Sequence, residues 1–160
     1  MNRTLRLVAG ALALTLATTG GAQADDAPST RVPLLRTYRQ ECAACHLAYP
    51  PGLLPAASWR RLMADLPRHF GTDASVDAAT LQQLSGWLEA NAGTYKQVAR
   101  NPAPPPQDRI SQAAWFVREH RELPPATWAR PAIKSATHCA ACHSRAEQGE
   151  FRERDIRIPR

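Results

Sequence analysis

The chain has 160 residues, enough for one domain, but only 6% of them are aromatic and 14 are proline. So few large apolar side chains cannot form an extensive core, which indicates that another group fills part of the interior. The formal net charge is +6, yet arginines alternate with acidic residues along the chain. This pattern favours a solvated surface with local ion pairs over a nucleic-acid-binding surface.

Residues 1–24 have the features of a cleavable secretory signal peptide. Arg3 and Arg6 precede the apolar run 7–17, and small residues then lead to an Ala-x-Ala cleavage pattern at 22–24. An uncleaved anchor helix is the alternative, but the apolar run is short for spanning a bilayer. We therefore expect export to the periplasm, with loss of two arginines lowering the net charge from +6 to +4. No later apolar run is long enough to cross a membrane.

The first half of the expected mature chain, 25–100, contains three predicted helices. The first covers 34–46 and ends near a cysteine motif, before the helix-breaking sequence Tyr-Pro-Pro-Gly. The second covers 56–66, and the third follows potential N-cap residues at 73–77. The last two helices carry apolar stripes at helical spacing, formed by Trp59, Leu62, Met63 and Leu66 and then by Leu81, Leu84 and Leu88.

The second half, 107–160, follows a connector at 101–106 whose prolines exclude a helix and favour an extended chain. A short helix is predicted over 110–121, and two prolines end it. A last helix is expected to enter the second cysteine motif near Thr137. No segment of alternating apolar and polar residues requires a strand, so the predicted fold is all-α, with short helices and long loops.

Two identical pentapeptides, Cys-Ala-Ala-Cys-His, occur at 42–46 and 139–143 and contain every cysteine of the chain. This pattern is the attachment signal of c-type haem. Two thiols three residues apart on a helical turn can each form a thioether to a haem vinyl group, and the adjacent histidine can bind the iron. Two disulfides, a zinc site or two thioredoxin-like pairs are the alternatives. The histidine in both copies favours two covalent haems, attached through Cys42, Cys45, Cys139 and Cys142.

The attachment motifs supply His46 and His143 as proximal iron ligands, which leaves His69, His120 and His138 as candidates for the opposite face. His69 follows His46 by 23 residues, and His120 precedes His143 by 23 residues, so the halves are mirrored in order and are not a tandem repeat. We expect His69 to be the distal ligand of the first haem and His120 that of the second. His138 directly precedes the second motif and could approach the other haem, but it is expected to lie at the surface or to contact a propionate.

Met63 is the only methionine after the predicted signal peptide, so it cannot serve two irons. It lies on an apolar stripe and is expected to fill the core. The two haems would complete the interior as large apolar plates against which other side chains pack. The candidates for this packing are Trp59, Leu62, Phe70, Leu81, Leu84, Trp87, Trp115, Phe116 and Trp128.

Two imidazoles on each iron would leave no open coordination position, which favours electron transfer over catalysis. Bis-histidine ligation also predicts midpoint potentials below those of His/Met cytochromes. If a distal histidine were labile, the iron could bind oxygen, peroxide or nitric oxide. We therefore expect an electron carrier and not an enzyme. The alternatives are a small haem peroxidase or reductase, or a haem-based gas or redox sensor.

Longer segments around the motifs point to one family. They are 41–55 (ECAACHLAYPPGLLP), 59–63 (WRRLM), 69–71 (HFG), 118–122 (REHRE) and the tail 139–159. Together they resemble the dihaem cytochrome c family, and the resemblance extends over nearly the whole expected mature chain. It implies an all-α fold wrapped around two covalent c-type haems with bis-histidine ligation. It also implies electron delivery from a membrane cytochrome b to a high-spin monohaem cytochrome c, the sphaeroides haem protein.

Overall fold

The structure, a computed structural model, describes residues 32–160, and the predicted signal peptide lies outside this part of the chain. The described residues form six α-helices: α1 Arg36–Cys42, α2 Ala56–Ala64, α3 Ala78–Ala90, α4 Lys96–Arg100, α5 Ala114–Glu119 and α6 Pro125–Trp128. Short 3-10 turns lie between and after them, at Pro51–Leu53, Leu66–Arg68, Pro106–Asp108, Ile110–Gln112, Cys139–Ala141, Ala146–Gln148 and Glu153–Asp155. No strand occurs within residues 32–160, so the predicted all-α class is confirmed. None of the helices in this range is both long and apolar enough to cross a membrane.

The first half is organised by the packing of α2 against α3. Helix α3 begins after Asp77, whose Oδ1 accepts hydrogen bonds of 3.0 Å from the backbone N–H groups of Ala79 and Thr80. This N-cap lies within the range that the sequence predicts. The buried core of this half consists of Tyr38, Ala48, Leu54, Trp59, Met63, Leu84 and Leu88. Met63 is therefore a core residue, as predicted.

Two predicted helices are shorter than expected. Helix α1 ends at Cys42, and the rest of the first attachment motif forms a turn. The predicted helix 110–121 is interrupted at Ala113, whose extended backbone (φ −63°, ψ 137°) separates a 3-10 turn from α5. Sequence reasoning does not identify α4, because Val98 is its only buried residue and no apolar stripe marks it.

The prediction of a last helix that leads into the second attachment motif is wrong, because residues 129–138 form turns and bends. The Ser135 hydroxyl accepts a hydrogen bond from the backbone N–H of Thr137 at 3.3 Å and also bonds to the Thr137 hydroxyl at 2.8 Å. Such local bonds compete with a helix. Lys134 has a positive φ of 69°, which a continuous α-helix does not allow. The second attachment motif therefore begins on the 3-10 turn Cys139–Ala141.

Two tyrosine hydroxyls connect the halves of the chain. The Tyr49 hydroxyl donates to the backbone carbonyl of Thr137 at 2.7 Å. The Tyr95 hydroxyl donates to the carbonyl of Gly149, also at 2.7 Å. The first of these bonds brings the approach to the second attachment motif next to the segment that follows the first motif.

The close packing around Gly52 gives a testable prediction. A Cβ at this position would contact Thr94 Oγ1 and would lie 2.6 Å from Tyr95 Cδ2. We expect Gly52→Ala to lower the free energy of unfolding by about 1–3 kcal/mol, measured by urea denaturation of the haem-containing protein. Gly86→Ala, in the middle of α3, is the matched control, because apart from its chain neighbours and the backbone of its own helix its Cβ would meet no described atom within 4 Å. The control should raise the free energy of unfolding by about 0.5–1 kcal/mol, and equal stabilities of the two variants would contradict the close approach.

Candidate functional site

The structure brings four of the five histidines together in two pairs. The imidazole centroids of His46 and His69 are 6.1 Å apart, with an angle of 26° between the ring planes. The centroids of His120 and His143 are also 6.1 Å apart, but their planes form an angle of 79°. These are the same two pairs that the sequence assigns to the first and second haem.

The spacing within each pair fits one metal ion bound between two imidazoles. A metal bound by both Nε2 atoms at about 2 Å places the two ring centroids roughly 6 Å apart. Each pair comes from separate elements. His46 lies in the turn after α1 and His69 follows the 3-10 turn Leu66–Arg68, whereas His120 caps α5 and His143 follows the 3-10 turn Cys139–Ala141.

One ring in each pair has its tautomer set by a backbone carbonyl. His46 Nδ1 donates to the carbonyl oxygen of Leu47 at 2.7 Å, and His120 Nδ1 donates to that of Phe116 at 2.9 Å. A proton on Nδ1 leaves the lone pair of Nε2 free to bind a metal. These two bonds therefore prepare one ligand nitrogen in each pair.

The other ring in each pair is half-buried, and its surroundings favour the neutral form. The Nδ1 atoms of His69 and His143 have no hydrogen-bond partner among the described residues. Burial lowers the pKa of His69, and the nearby His46 and Arg109 lower it further. Burial and the nearby His120 lower the pKa of His143. At neutral pH both rings therefore keep a lone pair for a metal.

Aromatic side chains surround the first pair. The Tyr49 ring stacks on His46 with centroids 5.1 Å apart and an interplanar angle of 27°. Phe70 lies edge-on to His69 at 4.8 Å, and the guanidinium carbon of Arg109 lies 4.2 Å over the Phe70 ring. Phe70 has a positive φ of 50°, which is uncommon for a residue other than glycine and turns the chain directly after His69.

The second pair has its own aromatic neighbours. His120 stacks on Phe116, four residues earlier in the chain, with centroids 4.0 Å apart and an interplanar angle of 23°. Trp128 of α6 lies 5.8 Å from His120, and Phe151 lies edge-on to His143 at 5.3 Å. Aromatic rings therefore lie beside both histidines of the second pair.

The thiols have none of the properties of the alternative cysteine sites. All four cysteines are free of disulfides. Burial raises the pKa of Cys42 and that of Cys139 to about 11, whereas reactive redox thiols have lowered pKa values. In the part of the chain that the structure describes, no three or more His, Cys, Asp or Glu side chains lie together as the ligands of a zinc ion do.

The remaining predicted residues divide between core and site. His138 is exposed, and its Nδ1 bonds to the carbonyl of Ile133 at 3.1 Å. Among the side chains expected to pack on haem, Trp59 and Leu84 belong to the protein core, whereas Phe70, Phe116 and Trp128 adjoin the histidine pairs. Sequence reasoning missed the site contacts of two further residues, Tyr49 and Phe151. Both contacts lie within one half of the chain, and the short separations of Tyr49 from His46 and of Phe151 from His143 are the local signals that could have found them.

A comparison with protein families decides the class of protein. The family model described as dihaem cytochrome c matches residues 38–151, a range that contains both attachment motifs and both histidine pairs. The chain belongs to the dihaem cytochrome c family. The resemblance found in the sequence is thereby confirmed, and the chain carries two covalently attached c-type haems.

Solved dihaem cytochromes have the same fold. The crystal structure of DHC purified from Rhodobacter sphaeroides is 45% identical, with a TM-score of 0.63 over 75% of this chain and 99% of that chain. Another diheme cytochrome c structure from Rhodobacter sphaeroides is 44% identical, with a TM-score of 0.67 over 75% and 98% of the two chains. The diheme cytochrome type c from Shewanella baltica OS155 is 35% identical, with a TM-score of 0.68 over 80% and 95%. A comparison with curated protein sequences gave no match.

Proposed function

We propose that this dihaem cytochrome is a periplasmic electron carrier with two bis-histidine haems. The observation that carries the proposal is the pair of 6.1 Å separations, His46 from His69 and His120 from His143. Each separation leaves room for one iron with an imidazole on either face. When bound, each haem supplies a reversible one-electron couple between ferric and ferrous iron.

The residues have distinct roles in this proposal. Cys42, Cys45, Cys139 and Cys142 form the thioethers, His46 and His143 are the proximal iron ligands, and His69 and His120 are the distal ones. The backbone bonds of His46 and His120 keep Nε2 directed away from the protonated Nδ1. The low pKa of the two partner rings keeps them unprotonated.

The two histidine pairs are the reason why we favour a carrier over an enzyme. Two imidazoles bound to one iron would leave no position for oxygen or peroxide, so outer-sphere electron transfer would be the chemistry that remains. A peroxidase, a reductase or a gas sensor would need one of the four imidazoles to leave its iron. The stacked or edge-on rings of Tyr49, Phe70, Phe116 and Phe151 oppose such movement, because each is packed against an imidazole.

The location and the partners rest on the sequence and on the family resemblance. The segment 1–24 and the two attachment motifs support export, since covalent haem attachment and secretion occur together. The resemblance supports a membrane cytochrome b as electron donor and a high-spin monohaem cytochrome c as acceptor. The expected net charge of +4 would steer the protein toward an acidic surface on such a partner.

The axial assignment predicts two different electron paramagnetic resonance signals from the oxidised protein. The near-parallel rings of His46 and His69 should give a rhombic low-spin ferric signal, because they split the iron dxz and dyz orbitals strongly. The near-perpendicular rings of His120 and His143 leave these orbitals almost degenerate. The second haem should therefore give a strongly anisotropic signal with one dominant low-field feature. Neither haem should bind carbon monoxide when reduced.

Methionine substitutions assign the two signals. His69→Met should abolish the rhombic signal, and His120→Met the anisotropic one. Each should raise one midpoint potential by on the order of 100 mV, a small part of the range that axial ligands span. His138→Met is the matched control and should leave both signals and both potentials unchanged. A wild-type high-spin signal would contradict the bis-histidine assignment.

The second half of the chain has a smaller protein core than the first, so we expect its fold to depend more on its haem than the fold of the first half does. The buried apolar side chains of residues 107–160 are Ala113, Phe116, Ile133 and Ala146, three of which are outside the described helix interiors. We expect Cys139→Ala with Cys142→Ala to leave one haem per chain by pyridine haemochrome assay and to abolish hydrogen-exchange protection in 107–160. The matched variant, Cys42→Ala with Cys45→Ala, should retain protection in α2 and α3, which share a core of their own. Equal losses in both variants would contradict the difference.

The partner proposal predicts fast electron transfer in stopped-flow mixing. Reduced protein should reduce an oxidised high-spin monohaem cytochrome c, and the rate should fall as salt is added if basic residues steer the encounter. Under the same conditions, hydrogen peroxide should oxidise the reduced protein only slowly. Rapid peroxide turnover together with no transfer to the cytochrome would support the peroxidase alternative instead.

A further inference from the structure

Tyr49 contacts His46 of the first haem site and the segment of chain that leads into the second attachment motif. We propose that it carries electron exchange between the two haems and holds the plane of the His46 ring, an inference that rests on the proposed axial role of His46. The exchange moves one electron, so one iron is oxidised from ferrous to ferric as the other is reduced from ferric to ferrous. Tyr49 is neither oxidised nor deprotonated in this step.

The first contact is the stacking of Tyr49 on His46. The ring centroids are 5.1 Å apart and the planes differ by 27°. A second restraint on the same imidazole is the 2.7 Å bond from its Nδ1 to Leu47. Together they fix both the tautomer and the rotation of the ring, and hence its 26° angle to His69.

The second contact is with the approach to the other attachment motif. The Tyr49 hydroxyl donates to the carbonyl of Thr137 at 2.7 Å, two residues before Cys139. A phenol carries its proton in the physiological pH range, so the Tyr49 hydroxyl acts as the donor in this bond. Once attached, the Cys139 sulfur is bonded directly to the edge of the second haem.

These contacts form a nearly continuous route for an electron between the two sites. It runs from the His46 ring across a stacking contact to Tyr49, through the hydroxyl and the Thr137 carbonyl, and along the backbone to Cys139. Electrons tunnel more readily through covalent and hydrogen bonds than across a gap of the same length, so a continuous chain of contacts favours exchange. The route is also well ordered, because the Tyr49 carbonyl accepts a 2.9 Å bond from Tyr38, a residue of the buried core.

Matched variants separate this role from a purely structural one. Tyr49→Phe keeps the ring but removes the bond to Thr137, and Tyr49→Leu removes the ring as well. Tyr95→Phe is the control, because it removes a hydroxyl-to-carbonyl bond of equal length between the halves, while its ring packs on Phe151 at 6.3 Å and not on His46. Exchange is measured on half-reduced haem-loaded protein by two-dimensional NMR exchange spectroscopy of the haem methyl resonances. Dilution isolates the intramolecular rate.

We expect Tyr49→Phe to slow intramolecular electron exchange at least several-fold. The rhombic electron paramagnetic resonance signal of the first haem should stay unchanged in this variant. Tyr49→Leu should slow exchange further and shift that signal, because the His46 ring loses its stacking partner. Tyr95→Phe should exchange at the wild-type rate. Exchange at the wild-type rate in both Tyr49 variants would overturn the inference. Two low-spin signals in the wild type would uphold the axial assignment independently of this result, so the two proposals fail separately.

Discussion

The structure depends on the distance between paired imidazoles. Two rings with centroids 6.1 Å apart can share one metal, and both pairs have this separation although different elements build them. The constraint is demanding, since a shift of about 1 Å would leave one nitrogen out of bonding range. Backbone carbonyls, aromatic neighbours and tight turns therefore surround each pair and limit movement of the rings.

The two sites meet this constraint by different means. The first is supported by a protein core in which α2 packs on α3, with Trp59, Met63 and Leu84 among the buried side chains. The second is built from 3-10 turns and the six-residue helix α5, so its own aromatic rings supply most of its packing. A low aromatic content over the whole chain is thus compatible with aromatic rings at both sites, because Tyr49, Phe70, Phe116, Trp128 and Phe151 each lie against a histidine of a pair.

The angle between the two imidazole planes differs between the two sites. The ring planes differ by 26° in the first pair and by 79° in the second. Tyr49 holds one side of the first pair, and Phe116 holds His120 in the second. Because Tyr49 also bonds to Thr137, the residue that orients one ring belongs to the contact between the halves. Tyr49 therefore contributes both to the geometry of the first site and to the packing of the halves.

The sequence by itself determined which cofactor the chain carries and which residues are candidates to hold it. Two Cys-x-x-Cys-His motifs identify the cofactor, and the mirrored spacing of His69 and His120 suggests the pairs, because covalent attachment and iron ligation need particular atoms at short, countable separations. Only the tertiary structure decided the ring angles, the stacking of Tyr49 and the absence of a helix before Cys139. The ring angles depend on contacts between residues far apart in the chain, and Tyr49, which stacks on a ring only three residues away, is held by its distant bond to Thr137. Local hydroxyl bonds compete with helix formation before Cys139. Periodicity records none of these interactions.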